Sequence, residues 1–99
     1  MNKKIHTGEM DRLMKGILQL NTLEECYQFF EDLCTINELV SLGQRFEVAG
    51  MLRDNHTYSE IAEATGASTA TISRVNRSLT YGNDGYNLIL DRMKETETE

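Results

Sequence analysis

Apolar side chains recur at three- and four-residue intervals along almost the whole of this chain. Met10, Leu13, Met14, Ile17 and Leu18 form one stripe and predict a first helix from about Glu9 to Leu20. Leu23, Tyr27, Phe30 and Leu33 form a second stripe, which follows Thr22. Thr22 and Glu25 have the T-x-x-E spacing of a capping box, in which hydroxyl and carboxylate satisfy backbone N–H groups that the first helical turn leaves free. The spacing returns at Thr35 and Glu38, predicting a third helix to about Leu52, and at Thr57 and Glu60, predicting a fourth. The flanking residues differ, so the boxes do not make an internal repeat. A fifth helix starts near Ser68. The Gly82-Asn83-Asp84-Gly85 turn separates it from a last helix carrying Tyr86, Ile89, Leu90 and Met93. There is no proline and no run of alternating β-branched residues, so the pattern predicts an all-α fold.

Residues 58 to 79 carry the most information. They read as a helix-turn-helix, a motif whose second helix can enter a DNA major groove. Ala62 is small enough for the second helix to cross close above the first. Gly66 can take the positive φ that ends the first helix in a tight turn. Ser68 is placed to cap the second helix. Ile61, Ile72, Val75 and Leu79 supply the apolar faces that join the pair. At about 100° per residue, Ala70, Ser73, Arg74 and Arg77 fall opposite that apolar side, with Thr69 and Asn76 on one flank and Thr71 and Ser78 on the other. An ordinary solvated helix would carry Glu and Lys there. This face offers hydroxyls, a methyl, an amide and two arginines, groups that suit base edges, thymine methyls and phosphates. Ser68, Thr69, Ala70 and Ser73 are the expected base-edge or water-mediated contacts, and Thr71, Arg74 and Arg77 the expected phosphate contacts. The plainer reading is a helical hairpin that only packs.

Charge first argues against DNA, then for it. The chain of 99 residues carries a formal net charge of −6. Residues 56 to 65 hold two acids and no Lys or Arg, whereas residues 66 to 82 hold Arg74 and Arg77 and no acid. The positive segment is thus the predicted recognition helix, and over distances near a Debye length a local face outweighs the whole-chain total. The acidic bulk weakens nonspecific binding and makes association salt-sensitive. The length predicts one domain, residues 1 to 99. Its Met- and Leu-rich faces exceed what a lone subunit would bury, which predicts a homodimer formed through the N- and C-terminal helices. With no signal peptide and no apolar stretch near ~18 residues, a cytoplasmic protein with no membrane partner is expected.

Other chemistry is thin. Cys26 and Cys34 fall on one predicted helix, about 12 Å apart along its axis, too far for a disulfide, and read as reduced, buried packing residues. His6 and His56 lack a Cys or carboxylate at metal-ligand spacing, so no metal is expected. Glu24-Glu25 and Glu31-Asp32 read as helix-surface acids. Tyr27, Phe29 and Phe30 read as core or dimer packing. There is no glycine-rich phosphate loop and no nucleophile beside a base, so neither an enzyme nor a cofactor is expected.

The segments Leu42-Gly43-Gln44-Arg45, Tyr58 to Arg74 and Val75 to Leu79 resemble the Trp repressor superfamily, and look closest to its YerC/YecD branch in Gram-positive bacteria. The resemblance covers roughly residues 33 to 93, and Ala70-Thr71-Ile72-Ser73-Arg74 is its most specific part. It implies an intertwined all-α homodimer in which helices of both subunits build one core and each subunit presents one helix-turn-helix. It also implies an amino-acid effector held between two arginines, which Arg45 and Arg74 resemble. Trp repressor has glycine after the second arginine, and here Val75 stands in that place. A β-branched side chain there takes space that an indole needs. Val75 also fits the ordinary hydrophobic position of the motif. A smaller or differently shaped amino acid, with histidine as a suggestion at family level, and no effector at all both stay open. The sequence therefore points to a DNA-binding transcriptional regulator of the repressor type, acting on a double-stranded operator. The competing reading is a protein-interaction module that keeps the fold without binding DNA.

Overall fold

The computed structural model describes residues 4 to 98. Its helices are α1 (Gly8–Ile17), α2 (Leu23–Leu33), α3 (Ile36–Arg53), α4 (Tyr58–Thr65), α5 (Thr69–Tyr81) and α6 (Gly85–Thr98), with no strand among the described residues. The chain divides into two compact units, Met1–Leu39 and Val40–Glu99.

In the first unit, Thr7 caps α1 by accepting from the Met10 N–H at 3.1 Å. Glu9 and Asp11 in the first turn and Lys15 in the last complement the helix dipole. α1 stops at Ile17, short of the expected Leu20. Past that point the N–H groups of Gln19 and Leu20 bond to the carbonyls of Gly16 and Ile17, three residues back, so the helix tightens into a turn. Thr22 caps α2 by accepting from the Glu25 N–H at 3.0 Å, while the Glu25 carboxylate accepts from the Asn21 N–H rather than that of Thr22. The reciprocal arm of this box thus falls one residue early. Cys34 is not on the α2 helix. It is the extended C-cap residue (φ −117°, ψ 155°), because the chain must leave the helix before Thr35 begins the next cap. Both cysteines are free and half-buried rather than fully buried. Phe29 and Phe30 meet edge to face at 5.4 Å. No residue of α1 or α2 is buried.

α3 opens with a complete box. Thr35 Oγ1 accepts from the Glu38 N–H at 3.1 Å, and Glu38 Oε1 accepts from the Thr35 N–H at 2.8 Å. The box on α4 matches it, with Thr57 and Glu60 bonded at 3.1 and 2.8 Å. In each box the hydrogen bond from the threonine N–H, then that of its hydroxyl, holds the glutamate carboxyl below its ordinary pKa.

The second unit holds the core. Val48 and Ala49 of α3, Ile61 of α4, Ala67 of the turn, and Ile72 and Val75 of α5 are buried together. Met51, Leu52, Ala62, Leu79, Tyr86 and Leu90 pack around them. Asn55 turns the chain between α3 and α4 with φ 64°, a conformation asparagine tolerates. Between α5 and α6, a Cβ at Gly82 would strike the Ser78 carbonyl, so this C-cap admits no side chain. Arg53, at the end of α3, reaches α6 through a 2.5 Å ion pair with Asp91.

Candidate nucleic-acid interface

The sequence of α4 and α5 builds a short, tightly closed pair. Gly66 ends α4 in the left-handed region with φ 74°, and its N–H bonds to the Ala62 carbonyl at 2.8 Å. A side chain at φ near +74° would be strained, which explains the glycine. Thr65 closes the turn from inside. Its hydroxyl donates to the Ile61 carbonyl at 2.7 Å and accepts from the Ala67 N–H at 3.1 Å. Ser68 then caps α5 by accepting from the Thr71 N–H at 3.1 Å. The chain thus passes from one helix into the next within three residues, Gly66, Ala67 and Ser68.

The outer face of α5 is polar and open. Thr69, Ala70, Ser73, Arg74, Asn76, Arg77 and Ser78 are exposed, while Ile72 and Val75 face the core and Leu79 is half-buried against it. Among the described residues neither Arg74 nor Arg77 has an ion-pair partner, so two guanidinium groups stand free on a face without acids. Thr71 is half-buried, and its hydroxyl accepts from that of Ser68 at 3.1 Å. Ser68 therefore spends its hydroxyl on the cap, both accepting and donating, while the Thr71 hydroxyl only accepts. The structure brings Thr69, Ala70, Ser73, Arg74 and Arg77 to solvent on one helix and keeps Ser68 and Thr71 at its entrance.

Arg45 and Val75 are placed differently. Arg45 is half-buried, and its Nε is buried without a hydrogen-bond partner. An unpaired buried donor is costly, so Nε is the atom of this residue with most to gain from an acceptor. Val75 is 2% exposed and belongs to the core. An open cleft of about 480 Å³ is lined by Phe46, Tyr86 and Ile89 and by the Gly82–Gly85 turn. Neither Arg45 nor Arg74 is among its walls.

Sequence reasoning gave no role to Gln44. Its side-chain Nε2 donates to the Thr65 carbonyl at 3.1 Å, across 21 residues of chain. No local pattern signals that bond, because the two partners lie on different helices.

Comparison with known proteins is consistent in family and in fold. Residues 8–94 match the family model described as Trp repressor protein. The chain is 64% identical over 96 residues to the Bacillus subtilis protein described as uncharacterized protein YerC, covering 97% of this chain and 92% of that one. A crystal structure described as a TrpR-like protein from Eubacterium eligens superposes with a TM-score of 0.92 at 61% identity, covering 94% of this chain and 96% of that chain. A Staphylococcus aureus structure, described as a candidate Trp repressor, superposes with a TM-score of 0.90 at 55% identity, covering 93% and 92% of the two chains. The chain belongs to the Trp repressor family, on its YerC-like branch, and has that family's all-α fold.

Proposed function

We propose that this protein is a homodimeric, sequence-specific DNA-binding transcriptional regulator, acting as a repressor, whose α4–α5 pair is a helix-turn-helix. The observation that carries the reading is the outer face of α5. It is acid-free, exposes Arg74 and Arg77 without ion-pair partners among the described residues, and is anchored from behind by buried Ile72 and Val75. A helix fixed from behind and open in front suits insertion into a groove. Thr69, Ala70 and Ser73 are assigned to base edges or bridging waters, with Ser68 at the rim. Arg74 and Arg77 are assigned to phosphates, with Thr71 beside them. Family membership supports the same reading.

The deciding experiment is selection from a pool of random duplexes. A near-palindromic site, bound with strong salt dependence, is the expected product. Enrichment of nothing would leave the competing reading, a protein-interaction module, which the net charge of −6 favours.

An effector reading rests on Arg45. Its unpaired Nε is a donor in want of an acceptor, and the family resemblance assigns Arg45 and Arg74 to the carboxylate of an amino acid, held by charge-assisted hydrogen bonds. Tryptophan is disfavoured on this reading, because Val75 stands where the resemblance has the glycine beside the indole. Histidine is the first candidate to try. No metal or cofactor enters the proposal. Among the described residues no helix is long and apolar enough to cross a membrane, and action on DNA implies a cytoplasmic location.

A further inference from the structure

The Gln44–Thr65 hydrogen bond does more than satisfy two polar groups. Thr65 is the last residue of α4, and the last carbonyls of a helix have no donor within it. The turn closes most of its own polar groups through Gly66 and the Thr65 hydroxyl. The Thr65 carbonyl is closed from outside, by an amide in the middle of α3. The bond grips the chain three residues before Ser68, where α5 begins.

Among the described residues no other hydrogen bond joins α3 to the α4–α5 pair. Close backbone approach joins α4 to α5 and α5 to α6, but does not join α3 to the pair. Otherwise α3 meets the pair through apolar side chains, Val48 and Ala49 against Ile61, Ile72 and Val75. Apolar burial is non-directional in its driving force and limits rotation only through the fit of side-chain shapes. A hydrogen bond is directional and weakens steeply off its axis.

We infer that Gln44 is a positioning residue for DNA recognition: its side-chain amide sets the rotation of the α4–α5 pair about α3, and so the direction in which Thr69, Ser73 and Arg77 face. The inference rests on the DNA-binding reading above. A dimer must present two such heads to half-sites at one fixed separation. A head free to rotate keeps its phosphate contacts and loses its discrimination of that separation.

Three forms of the full chain test this: the unmodified protein, Gln44→Met, which keeps volume and removes the donor, and Gln44→Lys, which restores a donor to the Thr65 carbonyl at a helix end that favours a cation. Each is bound to the selected operator and to duplexes with the half-site separation changed by one or two base pairs. Helix content by circular dichroism is measured alongside. Gln44→Met should bind the operator roughly three- to tenfold more weakly, the worth of one net hydrogen bond. It should bind the altered duplexes about as well as the unmodified protein does, so that discrimination collapses. Gln44→Lys should recover both. In the unmodified protein one side-chain amide proton of Gln44 should exchange with solvent more slowly than those of exposed Gln28, a measurement that needs no variant to fold. Unchanged discrimination in Gln44→Met, equal loss in the Met and Lys forms, or fast exchange at Gln44 would each overturn the positioning role while DNA binding stands. Binding of no duplex by the unmodified protein would instead remove the DNA reading on which it rests.

Discussion

At the scale of single residues, the two arginines of α5 and Arg45 of α3 face different tasks. Arg77 is exposed and outside any ion pair among the described residues, so it can meet a phosphate without breaking a prior bond. Arg77→Ala should weaken binding to every duplex alike and lower the dependence of log affinity on log salt by about one. Thr69→Ala or Ser73→Ala should instead change which base is preferred, at about 1–3 kcal/mol for each well-formed hydrogen bond to a base edge that the change removes. An Arg77→Ala form with unchanged affinity across a salt series would mean that α5 is presented differently. Arg45 is the effector candidate. Calorimetry of the unmodified protein should show no micromolar tryptophan binding, whereas histidine, if it is the effector, should bind and Arg45→Met should abolish that binding. Val75→Gly is the direct test of the steric argument. Because Val75 is in the core, that change also opens a cavity and places glycine inside α5, at a cost of order 1–3 kcal/mol. The variant must therefore be shown to remain helical at the assay temperature. Tryptophan binding gained by Val75→Gly would support the block. Micromolar tryptophan binding by the unmodified protein would refute it. Silence toward both amino acids in both forms would favour a constitutive DNA binder.

At the scale of elements, the starts of α3 and α4 are held by carboxylates. Glu38 and Glu60 each accept from the backbone N–H of the preceding threonine cap, and both carboxyls are held below the ordinary value of 4.5. A carboxyl whose pKa is depressed on folding contributes stability above its unfolded pKa and loses that contribution as pH falls through the folded pKa. Acidification from neutral to below about pH 4.5 should therefore lower the melting temperature. Glu38→Gln with Glu60→Gln, which keeps an accepting oxygen and does not titrate, should flatten that part of the profile. An unchanged acid limb in the double variant would assign it to other carboxylates. These starts were legible in the sequence because a capping box lies within one helical turn. Gly66 and Ser68 were legible for the same reason, and so was the burial of Ile61, Ile72 and Val75, which follows from a single period. What was not legible depends on competition or distance. The end of α1 turns on a switch to bonds three residues back, to which the apolar stripe is blind. Cys34 leaves α2 because the cap at Thr35 outcompetes another helical turn. The Thr71 hydroxyl accepts from that of Ser68, a side-chain contact the period does not report. The Gln44 bond joins positions 21 residues apart on different helices, beyond the reach of any local rule.

At the scale of the whole molecule, the two units differ in what they bury. All of the fully buried core residues come from Val40–Glu99, and none comes from α1 or α2. In the first unit Leu18 is 79% exposed, Leu23 76% and Ile36 80%. In the second unit Leu88, Ile89 and Met93 of α6 remain about half exposed. Scattered apolar residues on a surface are ordinary, but runs of them on successive amphipathic helices call for a cover. Another copy of the chain offers the complementary surface by symmetry. The proposed interface accordingly uses α1, α2, the start of α3 and α6, and leaves the α5 face free. On this reading residues 1 to 99 act as one domain only within the dimer. Folding and association are then one event, and thermal stability should rise with protein concentration. Sedimentation at micromolar concentration should give one species near twice the chain mass of 11.3 kDa. Replacing Leu23 and Ile36 with Glu together should shift it toward unfolded or aggregated chain rather than toward a stable monomer, since each would place a charge in the shared apolar interface. The proposed dimer would also set the DNA site, because two α5 helices related by a two-fold axis would read half-sites about 34 Å apart on one side of the duplex. A concentration-independent melting temperature with a monomeric mass would remove the dimer, and with it the palindromic form of the operator. A dimer that selects direct repeats instead would keep the assembly and place its axis elsewhere.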